Sequence, residues 1–333
     1  VSRAAVAFPG RGAYGPGSLR SLDPAHPWVQ RADESRRAAG LPSLVELDAA
    51  DRYDPAVHAR PTNGWALTFV ASLLDAERIA ADHEVVVVVA TSTGWYTALA
   101  AAGVLDLDDA LRIVTALAEV AESPLADGER AAELVYPLAD EAWQPLPGRA
   151  QAVAAALDAA EGTAERSLEL GSHVLVGGTA AAIEAVAANL PPVPAGTRSF
   201  PVRLAGDGWH TSLRADAVAA AAGSLADIEA ARPNVALVDG RGRRLTPWSA
   251  DPAAILDDAI RGQPARTYGF DTSLRVALRE YAPDVVLLPG PGASLGTACA
   301  HVIVADGYRG LRSRTEFEHA QTGPDAVLLS MRR

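Results

Sequence analysis

Seven consecutive residues, Glu84-Val-Val-Val-Val-Val-Ala90, constrain this chain more than any other stretch. A run of β-branched side chains favours a strand, and the absence of polar alternation means that neither face of that strand meets water. Such strands belong to parallel sheets with helices packed on both sides, so the run predicts an α/β protein. The chain has the material for one: 333 residues, 49% of them hydrophobic, correspond to two domains, or one large domain with an insertion, at roughly 150 residues per domain.

The flanking pattern agrees. Residues 4–8 read as a short buried strand that stops at Pro9, and Pro9 to Gly17 is a glycine-rich loop. Residues 61–80 carry helical periodicity through Trp65, Leu67, Phe69, Leu73 and Leu74. Helices are predicted near 94–102 and over 107–120. Between about 128 and 200 the order becomes strand (132–138), helix (149–160), two strands (166–170 and 173–177), helix (180–190) and strand (197–204). That β-α-β-β-α-β order is the ferredoxin-like split unit. The α/β pattern then resumes with helix 213–231, strand 234–238, helices 252–261 and 270–281, and strand 284–288. The expected organisation is a core built from 1–127 and 201–333, interrupted by a ferredoxin-like small subdomain over 128–200.

Composition excludes several functions. With 29 basic against 41 acidic residues, the net charge of −12 disfavours nucleic-acid binding, which needs a surplus of cations. Every basic residue is arginine, so Schiff-base lysine chemistry and a Walker lysine are ruled out. A single cysteine, Cys299, excludes an internal disulfide framework, and the seven histidines show no metal-ligand spacing. No apolar run reaches the ~20 residues of a membrane span, and the first residues lack a signal peptide's apolar region. A soluble, cytoplasmic protein without a metal or a membrane partner is expected.

The valine run leads through Thr91-Ser92-Thr93-Gly94 into an alanine- and leucine-rich helix. Strand, tight small-residue turn bearing serine, then helix is the nucleophile-elbow arrangement of an α/β-hydrolase-like core. The turn holds the hydroxyl clear of its neighbours, while the helix N-terminus aims amide N–H groups at charge developing beside it. Alanine at position 90 replaces the first glycine of the usual G-x-S-x-G, and a serine that merely caps a helix fits the pentapeptide equally well.

The longer context separates the two. Ser92 to Arg112, with Gly94, Tyr96, Gly103, Ala110 and Arg112 holding the frame, resembles the nucleophile segment of malonyl-CoA:acyl carrier protein transacylases and polyketide synthase acyltransferase domains. Phe8-Pro-Gly-Arg-Gly12 resembles their F-P-G-Q-G loop, and Trp209-His210-Thr211 their F-H-S block. Pro264-Ala-Arg266 and Gly290-Pro-Gly292 are similar to two further elements in family order. The resemblance spans nearly the whole chain. It implies ping-pong acyl transfer in polyketide or related specialised metabolism, with Ser92 as nucleophile and His210 as base. It also implies an oxyanion hole from the backbone N–H groups of Arg11 and Thr93, and a main-chain carbonyl near Ile260 orienting the histidine. The implied substrates are phosphopantetheine thioesters of coenzyme A or an acyl carrier protein, with no permanently bound cofactor.

Departures from the family pattern bear on the acyl group. Malonyl-transferring members carry an arginine where this chain has Leu117, and it grips the free carboxylate of the substrate through a two-pronged ion pair. Leucine cannot, and a carboxylate buried against it would cost several kcal/mol. Thr91, Trp95, Arg60 and Trp209 also replace usual residues. Together with Leu117 they define an expected acyl pocket for a group without a free carboxylate: alkyl, aminoacyl or a larger carrier-bound acyl. One alternative keeps malonyl and lets Arg11 or Arg60 replace the missing cation. Another lets water release the acyl-serine, as in an editing thioesterase, and a third is a non-catalytic binding protein. Acyl carrier proteins are acidic like this chain, so docking requires a local basic patch. Arg241, Arg243 and Arg244, and Arg309, Arg312 and Arg314, are the candidates.

Overall fold

The computed structural model describes residues 1–193, 202–324 and 326–331. Its larger sheet has the strand order β11-β10-β1-β2-β7-β8. These strands are β1 (Arg3–Phe8), β2 (Glu84–Ala90), β7 (Ala236–Val238), β8 (Arg244–Leu245), β10 (Val285–Leu288) and β11 (Leu328–Ser330). All neighbours run parallel except β8, which closes one edge antiparallel to β7. The valine run is β2, next to the central β1, and its side chains alternate between two cores. Val88 and Ala90 enter one core with Val6 and Phe8, while Val87 and Val89 enter the other with Ala5 and Ala7. Helices on both faces make that double burial possible.

Four helices, α1 (Pro27–Ala38), α2 (Leu44–Asp48), α3 (Pro55–His58) and α4 (Pro61–Asp82), separate β1 from β2. After β2 come α5 (Gly94–Ala101) and α6 (Leu107–Glu122). Helix α6 starts at Asp106, whose carboxylate accepts from the Asp109 N–H, and its apolar face packs on α4. The opposite face of the sheet is covered by α11 (Phe270–Tyr281), α12 (Gly296–Ala305) and α13 (Arg314–Gln321). No described helix is long and apolar enough to cross a membrane.

The smaller sheet has the order β6-β3-β5-β4-β9. It is built from β3 (Ala131–Pro137), β4 (Ala164–Leu170), β5 (His173–Thr179), β6 (Val202–Ala205) and β9 (Tyr268–Gly269). Its first four strands form the antiparallel split unit expected from sequence, backed by α7 (Arg149–Asp158) and α8 (Ala180–Asn189). Leu134, Tyr136, Val174 and Val176 pack under those helices. Leu168 and Leu175 turn the other way, toward the larger domain. Two details differ from expectation. The unit runs past residue 200, because β6 pairs with β3, and β9, from the far side of the chain, extends it in parallel beside β4. The first part of the strand expected over 197–204 lies outside the described residues.

The helix expected over 213–231 is broken. It becomes a 3-10 turn, α9 (Ala215–Ala221), another 3-10 turn and irregular chain, since alanine propensity carries a helix only until Gly223 interrupts it. Helix α10 (Pro252–Asp257) continues into a π turn, Asp258–Gly262.

Candidate active site

The parallel strands deliver the site at their C-terminal ends. Ser92 follows β2 directly and has a positive φ of 51°, the strained turn expected of an elbow. Glycine is required on both sides of it. A Cβ at Gly94 would lie 2.5 Å from the Pro9 carbonyl oxygen, and one at Gly10 would lie 2.6 Å from the Thr91 oxygen. The glycine-rich loop after β1 and the first turn of α5 therefore touch backbone to backbone. Tyr14 fixes the far end of the loop, donating its hydroxyl to Asp48 at 2.6 Å. Gly292 supports it from below, where a Cβ would come within 2.5 Å of the Ala13 oxygen.

His210 Nε2 lies 2.9 Å from Ser92 Oγ, and its Nδ1 lies 2.9 Å from the backbone oxygen of Gln263. A carbonyl can only accept, so Nδ1 carries the proton and Nε2 presents its lone pair to the serine hydroxyl. Burial pushes the His210 pKa down to about 4, although the Gln263 bond and Asp207 favour the charged form. The imidazole is therefore neutral at physiological pH.

The orienting carbonyl is Gln263's, which corrects the expectation placed on Ile260. The histidine sits against residues 263 and 264, its own N–H donating to the Pro264 oxygen at 2.7 Å. Ile260 lies inside the π turn with its side chain in the apolar core. Gln263 also donates its side-chain amide to the Ser92 oxygen at 2.8 Å and accepts from Tyr96 at 3.2 Å. Sequence reasoning missed it; the only signal was its place directly before Pro264.

A cavity of about 110 Å³ opens on Ser92 and His210, lined by Gly10, Arg11, Thr91, Ser167 and Ser294 together with Leu168, Leu170, Leu175 and Leu295. Of the expected acyl-pocket residues it includes Thr91 alone. Leu117 is fully buried in the core on α6. Trp209 is buried edge-on against Trp65, 5.3 Å between ring centroids. Trp95 lies beyond Gln263, among Asp239, Asp258 and Tyr268. Arg60 is at the surface, 60% exposed, where it pairs with Glu122. The apolar walls come from β4 and β5 of the small subdomain and from Leu295, just before α12, segments whose contribution no local motif announces.

Arg11 lines the same cavity but is not a free cation. Its Nη1 bonds Asp207 at 2.8 Å and its Nη2 bonds Glu133. Burial works against the Arg11 charge, yet the two carboxylates more than offset it and hold its pKa above the ordinary value. Burial and the neighbouring Asp207 push the Glu133 carboxyl up to about 7, against the pull of Arg11. The backbone N–H groups of Arg11 and Thr93 donate to no protein acceptor among the described residues, which leaves them available to a ligand.

The arginine clusters are largely self-neutralised. Arg243 bonds Asp239 and Asp258, Arg241 lies 3.6 Å from Asp258, and Arg244 bonds Glu280 at 2.8 Å. Arg314 bonds Glu318 at 2.7 Å, and Arg312 is exposed. Arg309 bonds Asp284, just before β10. That is the N-terminal end of the strands, on the order of 20 Å from the serine by strand rise.

No protein-family model matches the chain, and no curated protein sequence does. Solved structures do. An acyl-carrier-protein S-malonyltransferase from Burkholderia pseudomallei has a TM-score of 0.73 at 22% identity, over 99% of this chain and 96% of that one. The acyltransferase domain from the second module of the salinomycin polyketide synthase has a TM-score of 0.74 at 22% identity, over 100% and 69%. A malonyl transacylase in complex with its type II polyketide acyl carrier protein has a TM-score of 0.73 at 19% identity, over 93% and 99%. The fold of this chain is the acyltransferase fold of these proteins.

Proposed function

We propose that this chain, with the fold of the carrier-protein acyltransferases, moves an acyl group lacking a free carboxylate between phosphopantetheine thioesters through an acyl-Ser92 intermediate. The observation that carries the reading is the 2.9 Å contact of His210 Nε2 with Ser92 Oγ, with Nδ1 committed to a carbonyl. Ser92 Oγ attacks the thioester carbonyl as its proton passes to Nε2. The oxyanion accepts from the N–H groups of Arg11 and Thr93 at the start of α5. When the tetrahedral adduct collapses, the C–S bond breaks and the departing thiol takes the proton from His210. A second thiol, on an acyl carrier protein, then reverses these steps and removes the acyl group. Gln263 holds both partners, its carbonyl on the imidazole and its amide on the serine backbone.

The restriction to uncharged acyl groups rests on the cavity. Four leucines line it, its one arginine is already engaged by two carboxylates, and Arg60 is at the surface. A malonyl carboxylate would enter without a free partner, at a cost of several kcal/mol. The same arrangement argues against a relocated arginine clamp.

Intact-protein mass spectrometry tests the reading. Wild type and Ser92→Ala are incubated with acetyl, longer acyl, aminoacyl and malonyl thioesters, then chased with holo carrier protein or buffer. A Ser92-dependent adduct from uncharged groups, formed at least about 100-fold faster than from malonyl and passed to the carrier, is expected. Equal loss in plain buffer would make the protein a thioesterase. Malonyl loading as fast as acetyl would sink the substrate argument.

A further inference from the structure

The loop expected to supply one oxyanion donor is held at both ends, by packing on α5 and by Tyr14, but its tip at Arg11 is rich in glycine. Gly10, Gly12, Gly15 and Gly17 surround Arg11, and Gly12 has a φ of 77°. Glycine brings conformational freedom, whereas an oxyanion donor works only when held to within a few tenths of an ångström. The backbone bond within the turn is long, Ala13 N–H to the Gly10 oxygen at 3.4 Å. What grips the turn at its tip is the side chain of Arg11.

That side chain reaches into the small subdomain. Glu133 comes from β3, and Asp207 sits just after β6, where the chain returns to the larger domain. Both carboxylates are buried, 0% and 4% exposed. The local sequence makes room for them: a Cβ at Gly206 would collide with the Glu133 side chain, and Gly208, at φ 64°, lets the chain turn sharply after Asp207. The two oxygens of Asp207 face different ways. Oδ2 accepts from Arg11 at 2.8 Å, while Oδ1 accepts from the N–H of Trp209 at 3.0 Å. Trp209 immediately precedes His210.

We propose that Asp207, through Arg11, is a positioning residue that holds the oxyanion loop in register with the loop carrying the histidine, with Glu133 as the second anchor of Arg11. The inference rests on the acyl-serine reading given above. One carboxylate then fixes two parts of the machinery that the chain separates by about two hundred residues, and the small subdomain becomes a determinant of rate as well as a wall of the cavity.

The test is single-turnover acylation of Ser92 by an acetyl thioester in wild type, Asp207→Asn, Arg11→Met, Arg11→Lys and the Arg11→Met/Asp207→Asn double variant, with melting temperatures recorded alongside. Asparagine keeps an oxygen for Trp209 but loses the charge that grips Arg11. The expected result is a 10- to 100-fold lower maximal rate for Asp207→Asn and Arg11→Met, in line with partial loss of one oxyanion donor. Half-saturating thioester concentration should stay within about twofold, since the ground-state complex does not use the donor. Lysine should restore part of the rate by keeping one ion pair. The double variant should be no slower than the slower single, because the residues act as a unit. Should Arg11→Met fail to fold, Asp207→Asn and Arg11→Lys carry the comparison. A Ser92 adduct forming at the wild-type rate in these variants would overturn the inference alone. So would rate losses that simply follow the melting temperatures. No Ser92 adduct in the wild type would overturn the functional reading and this inference with it.

Discussion

The two ring nitrogens of His210 have unlike partners, as the base role proposed for it requires. The carbonyl of Gln263 fixes the proton on Nδ1, and burial keeps the ring neutral, with its pKa lowered to about 4. Titration of the His210 ring by NMR should show no protonation between pH 8 and about 5.5; a midpoint near 6.5 would mean a solvated ring. The sign for stability follows. An unfolded chain takes up this proton below the ordinary histidine pKa and the folded protein does not. The stability that His210 contributes is therefore fully present above about 6.5 and is lost as pH falls from there toward 4. His210→Ala should slow Ser92 acylation by about 10²- to 10⁴-fold, the usual contribution of a general base, in a stopped or mass-resolved assay. Ser92 was singled out by its place in a strand-turn-helix, and His210 only by the family resemblance of Trp209-His210-Thr211; the structure brings the two side chains within 2.9 Å. Gln263, Asp207 and Glu133 were not legible in the sequence, since an isolated polar residue has no period and its partners lie far along the chain.

Among elements, the long ones declare themselves and the short ones do not. The valine run by its unbroken β-branching, and α4 and α6 by their periodic apolar residues, can be read directly. Strands β8 and β9, two residues each, exist only because a neighbouring strand pairs with them. The π turn after α10 illustrates a related limit. It places Gln263 where a count along the family frame had put Ile260, and nothing in its composition marks the wider winding. Helix α6 also decides what Leu117 does. The side chain is 0% exposed within the main core, so Leu117→Arg should lower unfolding stability by at least about 3 kcal/mol, the cost of an unpaired buried charge, without conferring malonyl loading. Chemical denaturation with a parallel malonyl-loading assay checks both. A stable variant that loads malonyl would place the side chain at the cavity.

At the scale of the whole molecule, the chain enters the smaller sheet after α6 and leaves it after β6. Arg214, 1% exposed, joins these two crossings. It donates to the carbonyls of Ser123 at 2.9 Å and Pro124 at 3.1 Å on one crossing, and to that of Asp207 on the other. Arg214→Met should leave these acceptors unpaired and lower stability by about 3 kcal/mol, at roughly 1 kcal/mol for each buried bond lost. A change below about 0.5 kcal/mol in urea denaturation would show that solvent or relaxation replaces the clamp. At this scale the division of information is physical. Strand burial, helix faces, the split β-α-β unit and the elbow are properties of consecutive residues, and the sequence by itself determined them. The identity of the orienting carbonyl, the leucine walls of the cavity, the neutralisation of Arg11 and the burial of Leu117 are properties of residues brought together from distant segments. Only tertiary packing decided those, because a contact between two loops depends on every element that lies between them.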